Sequence, residues 1–589
     1  MQTHAENRPK DPSSNLSVWA AVLVAVVGLA YCGSLSGPFV HDDVLNISEN
    51  PGIRHVFPLF GEEAYGRGTG LAGRPVARLS FALNYALAGT SVAGYHIVNL
   101  LIHLAAVLLL FELVRLTLSR SPVLSGRYGE SAVPLAFFSA LLWGVHPLNT
   151  QAVTYVVQRC ESLAGLFFLA TLYAGARAAF DDKPLRWNIL GVATFFLGLG
   201  TKEILVTALA VLAAYHHLFA PRPFLASLRR SALLYLAFAA GAAILAANMA
   251  LAARAVRIMG FKTDVTRWDY ARTQPIVIAR YLRLAVFPKG LCFDYWWLPE
   301  KGWRFVPYAA ALAAAFLATL YGLVKKHPLS FAGICFFAIL GPSSSLVPLN
   351  TVAAEHRMYL PLAALAAAVV TGAGLLAARR GEQPFLVFLA VAGLACLVLA
   401  GATFARNRDY RSAYALWSDT ARKRPENPRA QDALGVAVME QGDLPRAEGL
   451  FKRAIEIDNR YAPGHFNMGN AMFVQNRVRD AIRYYRRAVL VDPDFWRAYA
   501  NLGAALCAAG LWDEGVWSLE KALKLYPGSP EVAANLQRAR ESRLKAQEKE
   551  RGVFSSGPDS GGVHMAPAPA ARETEAPNGA PAEALGETP

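Results

Sequence analysis

The residues best equipped for chemistry in this 589-residue sequence fall in five short polar clusters set among apolar segments. The first is His41-Asp42-Asp43. Two adjacent carboxylates at a bilayer edge are costly to desolvate, and a carboxylate whose pKa rises for that reason suits a general base. The same pair also suits a helix cap or a solvated loop. A metal held by His41 and the two carboxylates fits poorly, because divalent ions usually take more ligands, and no metal is expected. The second cluster, Arg159 and Glu161, follows His146-Pro147-Leu148-Asn149. Lys202-Glu203 stands between two short apolar segments. Phe293-Asp294-Tyr295 lies in a long loop, and Glu355-His356-Arg357 precedes Tyr359-Leu360-Pro361. Singly, each is equally a structural ion pair or a snorkelling interfacial side chain. Together they set at least three cations against carboxylates, an arrangement suited to an anionic headgroup.

The elements that must position these clusters are mostly transmembrane. The chain is 54% apolar and 17% charged, against about 45–50% and 25% in ordinary soluble domains. From Ser17 to Arg406 the apolar residues form blocks, several of them long enough for the roughly 20 residues that a bilayer core demands. Eleven spans are predicted: 17–36, 95–117, 131–146, 162–180, 187–200, 203–219, 231–253, 305–324, 328–347, 359–378 and 384–404. Alternate short loops are basic, carrying Arg120 and Arg127; Lys183 and Arg186; Arg222, Arg229 and Arg230; Lys325 and Lys326; and Arg379 and Arg380. The positive-inside rule makes those loops cytoplasmic, together with an N-terminal tail over 1–16. The short apolar stretch Pro275–Phe287, interrupted by Arg280 and Arg283, is expected to be interfacial or re-entrant. All five polar clusters then face the non-cytoplasmic side. The net charge of +15 sits in loops flanking the membrane, which points to anionic lipid and not to nucleic acid. The six cysteines show no paired spacing, so neither a zinc site nor a disulfide scaffold is expected.

Beyond Arg406 the pattern changes. Leu434-Gly435, Met468-Gly469 and Leu502-Gly503 recur every 34 residues, as do Ala447, Ala481 and Gly515, and Ala454, Ala488 and Ala522. A 34-residue period with small residues where paired helices meet is the tetratricopeptide signature. About three and a half repeats are predicted over 407–530, then a charged capping helix over 531–550 and a disordered Ala/Pro/Gly/Glu tail over 551–589. Such arrays offer a concave surface to extended peptides or partner proteins. The fold class is therefore all-α: a polytopic helical domain over 17–406 followed by an α-solenoid. No phosphate-binding Gly-rich loop or dinucleotide fingerprint is present. A sugar donor, if there is one, should arrive through the membrane.

Phe39-Val40-His41-Asp42-Asp43 with Asn50-Pro51 resembles the first-loop motif of the transmembrane and tetratricopeptide-repeat O-mannosyltransferases. Arg74-Pro75 with Asn84-Tyr85, Gly94-Tyr95-His96 with Asn99 and His103, His146-Pro147 leading to Arg159 and Glu161, Lys202-Glu203, Leu291 to Tyr295, and Glu355-His356-Arg357 extend the likeness over 37–530. The resemblance implies a GT-C-type membrane glycosyltransferase that uses a polyprenyl-phosphate sugar, commonly mannose, inverts the anomeric centre and needs no cofactor or metal. It implies Asp42 or Asp43 as the base for an acceptor hydroxyl. Arg159, Lys202 and Arg357 would hold the lipid phosphate, with His41, Glu161, Glu203, Asp294, Glu355 and His356 in support. Eukaryotic members carry longer repeat arrays, and the Ala-rich composition suggests a bacterial version in the inner membrane, with repeats outside the cytoplasm and an undecaprenyl carrier. The acceptor is expected to be a protein or peptide held by the repeats. The competing readings are the same transfer onto a glycan or lipid, and a non-enzymatic membrane scaffold.

Overall fold

The structure, a computed structural model, describes residues 16–58, 70–129, 131–259, 266–346, 348–349 and 351–550. The disordered tail expected over 551–589 and nearly all of the tail expected over 1–16 lie outside the described residues. Among the described residues there are helices and no strands. Two units are distinguished. The first takes the chain up to Phe293 together with Trp297–Ser412, and the second takes Asp294–Trp296 together with the chain from Ala413.

The first unit contains α1 (Leu16–Tyr31), α2 (Pro75–Ala88), α3 (Val92–Arg120), α4 (Ala132–Gly144), α5 (Arg159–Phe180), α6 (Pro184–Leu199) and α7 (Ala208–Phe219). It continues with α8 (Ala232–Met259), α9 (Arg267–Val286), α10 (Val306–Val324), α11 (Ser330–Leu340), α12 (Tyr359–Ala378) and α13 (Glu382–Asn407). Six helices are long and apolar enough to cross a membrane, and two bent helix pairs pass the same test as single spans. Three shorter apolar helices, Pro184–Leu199, Glu203–Phe219 and Ser330–Leu340, accompany them. Each of the eleven predicted spans thus falls on a helix, and those three are short of a bilayer's width by themselves. No residue of α10 is buried, although its sequence is almost wholly apolar. A helix that is apolar all round and covered on only part of its surface, where Phe316 meets Phe337 of α11 at 5.2 Å, needs a nonpolar solvent on its open face, which in this chain is lipid. The protein is a multi-pass integral membrane protein.

Two elements differ from expectation. The predicted short segment at 275–287 is the C-terminal half of a 20-residue helix, α9, which continues through Pro275. Its polar first half is anchored by tertiary bonds: Thr273 Oγ1 accepts the Glu300 N–H at 2.8 Å, and Gln274 donates to the Val352 carbonyl at 3.3 Å. Helix α2 was not expected. Its Arg78 is buried, and the guanidinium donates to the carbonyls of Gly52, His55 and Val56.

The bent pair Ala132–Gly144 and Pro147–Thr154 turns by 50°. Bending frees the last carbonyls of α4, and each finds a side-chain donor. Asn149 donates to Trp143 O at 2.6 Å, His103 Nε2 to Gly144 O at 3.0 Å, and Thr403 to Val145 O at 2.6 Å.

The second unit holds α14 (Ala413–Lys423), the antiparallel pairs α15 (Pro428–Glu440) with α16 (Leu444–Ile457), α17 (Ala462–Val474) with α18 (Val478–Val491) and α19 (Trp496–Ala508) with α20 (Trp512–Leu525), and α21 (Pro530–Glu550). The periodic glycines have a packing cause. A Cβ on Gly435, Gly469 or Gly503 would come within 2.5, 2.6 and 2.7 Å of Phe451, Tyr485 and Leu519. Within the core runs a chain of buried polar groups. Asn467 donates to Asp432 at 3.0 Å, Asn470 to Asn467 at 3.3 Å, and Asn501 to Asn470 at 2.8 Å.

Candidate active site

The two adjacent carboxylates are not equivalent. Asp43 is fully buried, and its oxygens accept the backbone N–H groups of Val40 at 3.1 Å and Val157 at 2.7 Å. It thereby ties the first loop to the turn before α5. Asp42 has 53% of its side chain exposed and lies 3.6 Å from His41 Nε2. Its backbone N–H donates to the Tyr155 hydroxyl at 2.9 Å, and its carbonyl accepts from Asn46 at 2.7 Å. The turn is held open by His41 at φ +51°. That is a conformation non-glycine residues adopt at a cost of about 1–3 kcal/mol, and one that clusters at functional sites. Among the described residues no three His, Cys, Asp or Glu side chains are grouped as a metal site.

From this loop a path of contacts leads to the fifth cluster. The Phe293 ring packs edge-on against both His41 and Tyr155, with centroids at 6.0 and 5.0 Å. The Phe293 carbonyl accepts the Gln151 amide N–H at 2.9 Å, which fixes the orientation of that amide. Gln151 Oε1 then accepts from the His356 backbone N–H at 3.0 Å and from His356 Nδ1 at 3.1 Å. An imidazole that donates through Nδ1 keeps its lone pair on Nε2 when neutral. Glu355, fully buried, accepts the Cys292 N–H at 2.6 Å.

The cations divide as the carboxylates do. Arg159 is fully buried and spends its guanidinium on Asn99 Oδ1 (2.6 Å), Asn84 Oδ1 (2.7 Å), Tyr95 O (3.0 Å) and Ser80 O (3.2 Å), stacked over Phe81. Arg357 donates to Val352 O at 3.0 Å, Thr351 O at 2.5 Å and the Tyr270 hydroxyl at 3.4 Å. Both therefore brace neighbouring backbone. Lys202 instead pairs with Glu161, whose side chain is 2% exposed against 19% for Lys202. Arg74 pairs with Glu203 at 3.5 Å and also faces Cys160. His356 lies within the electrostatic reach of Lys202, Arg357 and Arg74.

Local folding explains that grouping. Lys202 is extended between α6 and the turn Glu203–Thr207. Just before it the Gly200 carbonyl accepts the Val76 N–H at 3.0 Å. A Cβ on Gly200 would stand 2.6 Å from Val76 Cγ2, so glycine lets the start of α2 lie on the α6 terminus and carries Arg74 to Glu203. Within the first unit contacts link His41, Asp42, Tyr155, Phe293, Gln151 and His356, with Asp43, Glu355 and Arg357 bonded to the adjoining backbone, while Lys202–Glu161 and Arg74–Glu203 form two ion pairs whose cations act electrostatically on His356. Arg74-Pro75 was visible as a motif, but nothing in it marked the arginine as a site cation. Asp294 belongs to the second unit, where its carboxylate pairs with Arg429 at 3.2 Å.

The tetratricopeptide repeat family matches residues 399–462 and 466–530. Over most of its length the chain is similar to protein O-mannosyl-transferases. It is 24% identical to human Protein O-mannosyl-transferase TMTC3 over 91% of this chain and 60% of that protein. It is 26% identical to Drosophila melanogaster Tmtc3 over 83% of this chain and 60% of that protein. A stretch covering 27% of this chain and 17% of mouse TMTC1 is 35% identical. The chain thus spans 60% of the length of the TMTC3 relatives, and what it is similar to across its membrane helices and its repeats alike is a protein O-mannosyl-transferase.

Proposed function

We propose that this chain is an inverting glycosyltransferase that moves a mannose-like sugar from a polyprenyl phosphate to a hydroxyl of a protein or peptide on the non-cytoplasmic side. The observation that carries the reading is the division of labour in the first unit. One half-exposed carboxylate, Asp42, stands on a strained turn connected through Phe293 and Gln151 to a histidine, and two partly exposed cations lie near that histidine.

In this reading Asp42 takes the proton of the acceptor hydroxyl. The oxygen attacks the anomeric carbon from the face opposite the phosphate, the bond from that carbon to the phosphate oxygen breaks, and polyprenyl phosphate leaves with the electron pair. Lys202 and Arg74, oriented by Glu161 and Glu203, offset the charge that grows on the phosphate, an interaction stronger in the transition state than in the ground state. His356 Nε2 accepts a hydrogen bond from a sugar hydroxyl. Asp43, Glu355, Arg159 and Arg357 hold the backbone that presents these groups. The names of the similar proteins, and helices built for lipid, support a donor that arrives through the membrane. The Ala-rich composition supports a bacterial inner-membrane placement, and the basic turns support a cytoplasmic N-terminus with the site and repeats outside.

The test is transfer by the purified chain, reconstituted with polyprenyl-phosphate mannose and a Ser/Thr-containing peptide. The expected product is a peptide carrying one hexose, its anomeric configuration opposite to that of the donor. Transfer to no protein, peptide or glycan with any polyprenyl-phosphate hexose would falsify the assignment.

A further inference from the structure

A cavity of about 560 Å³ opens among α3, α5, α7, α11 and α12, apart from the polar site. One wall is the small-residue face of α12: Ala364, Ala367, Ala368, Thr371 and Gly372 are only half-buried, although neighbours on the same helix are fully buried. A Cβ placed on Gly372 meets nothing within 4 Å. The lining runs along α12 from Leu360 to Arg379, about 28 Å at 1.5 Å per residue. That is close to the ~30 Å thickness of a bilayer's hydrocarbon. Polar atoms in the wall are already satisfied. Thr117 bonds the Tyr215 hydroxyl at 2.9 Å, and Thr371 donates to Ala367 O at 2.6 Å. The cavity therefore offers an occupant apolar surface along its length.

One end is different in kind. Leu118, Val123, Leu124, His327, Leu376 and Arg379 line it, so three turns meet there, and all three are basic. They carry Arg120, the run Lys325-Lys326-His327 and the run Arg379-Arg380, all exposed. Among the described residues Arg120, Lys326, Arg379 and Arg380 make no ion pair. Unpaired cations around the mouth of an apolar trough match a ligand with one anionic end and one hydrocarbon end.

We propose that this trough is a binding site for an anionic glycerophospholipid of the leaflet bordered by the basic turns, one acyl chain lying along α12 and the phosphate between Arg379 and the neighbouring turns. The site is independent of the transferase reading, since it uses none of the residues assigned to the reaction. It gives the Ala/Gly face of α12 and the uncompensated charge at its end a common cause.

The experiment is native mass spectrometry of the full-length chain, delipidated in detergent and titrated with palmitoyl-oleoyl phosphatidylglycerol, the matching phosphatidylcholine and undecaprenyl phosphate. The wild-type chain should retain phosphatidylglycerol over phosphatidylcholine. Gly372→Phe places a ring in open space and should reduce retention of phosphatidylglycerol by about tenfold or more. Arg379→Gln, at an exposed position, should keep chain binding but reduce the headgroup preference by about fivefold. Equal retention of the two phospholipids by the wild type, or unchanged retention in Gly372→Phe, overturns the proposal. So does retention of undecaprenyl phosphate that excludes phosphatidylglycerol, which would give the trough to the donor's tail.

Discussion

Adjacent aspartates with identical side chains are separated here by what folds over them. Asp42→Asn is expected to reduce transfer by about 10²–10⁴-fold, the usual contribution of a general base, with the unfolding midpoint unchanged. Asp43→Asn should act the other way round. It removes a charge that accepts two backbone N–H bonds in a buried place, at a cost of about 1.5–3 kcal/mol, so the midpoint falls. Parallel thermal unfolding and transfer assays on the two variants separate these outcomes, and the reverse pattern would make Asp43 the base. The cations divide similarly. Lys202→Met strands the Glu161 carboxylate and should destabilise the chain by about 3–5 kcal/mol. Adding Glu161→Gln should restore the unfolding midpoint but not transfer. The sequence makes the charged clusters legible but not which charges are spent. The donors of Arg159 go to Asn84, Tyr95 and Asn99, 60 to 75 positions away, and the Asp43 partner Val157 is 114 positions away. Residue type alone carries neither fact.

At the scale of elements, the reach of apolar periodicity is clear from what it found and missed. Every apolar block lies on a helix, because in lipid a backbone has to satisfy its own hydrogen bonds. The 34-residue repeat is equally direct, since Gly435, Gly469 and Gly503 each face a bulky partner across the helix pair. Helix α2 and the first half of α9 were invisible, because they are helices held by specific partners. Arg78 is hydrogen-bonded by carbonyls of the preceding loop, and Thr273 and Gln274 by backbone groups of the loops that follow. The start of α2 also lies on the α6 terminus at a place with no room for a Cβ. Gly200→Val is expected to push Val76 away, cost about 1–3 kcal/mol and move Arg74 from Glu203. Transfer should then show a raised KM for the lipid donor, while a valine at exposed Gly401, where a Cβ meets nothing within 4 Å, should leave that KM unchanged.

For the whole molecule, the balance of charge sets the sidedness. The basic turns at 120, 325–326 and 379–380 and the acidic first loop are expected on opposite faces. A maleimide that cannot cross membranes should label Asp42→Cys in intact cells and label Lys326→Cys only after permeabilisation. Labelling of both from one side would remove the basis for a site outside the cytoplasm. The expected orientation is drawn from loops that are readable one by one. Asp294 shows the limit of that reading: it was grouped with the membrane clusters by its place in the chain, and its carboxylate pairs with Arg429 in the second unit.

The bend after α4 has a mechanical meaning. Three successive carbonyls, of Trp143, Gly144 and Val145, are each occupied by a donor from a different part of the chain: Asn149 beyond the bend, His103 on α3 and Thr403 on α13. Proline does not maintain the elbow by itself, so Pro147→Ala should leave transfer and the unfolding midpoint nearly unchanged, whereas His103→Leu with Thr403→Val, which leaves two buried carbonyls unpaired at about 1–3 kcal/mol each, should lower both. A bend bonded from three directions is expected to stay fixed. In the proposed reaction, a movement that admits a lipid and an acceptor is then expected on other elements of the first unit, turning about this corner.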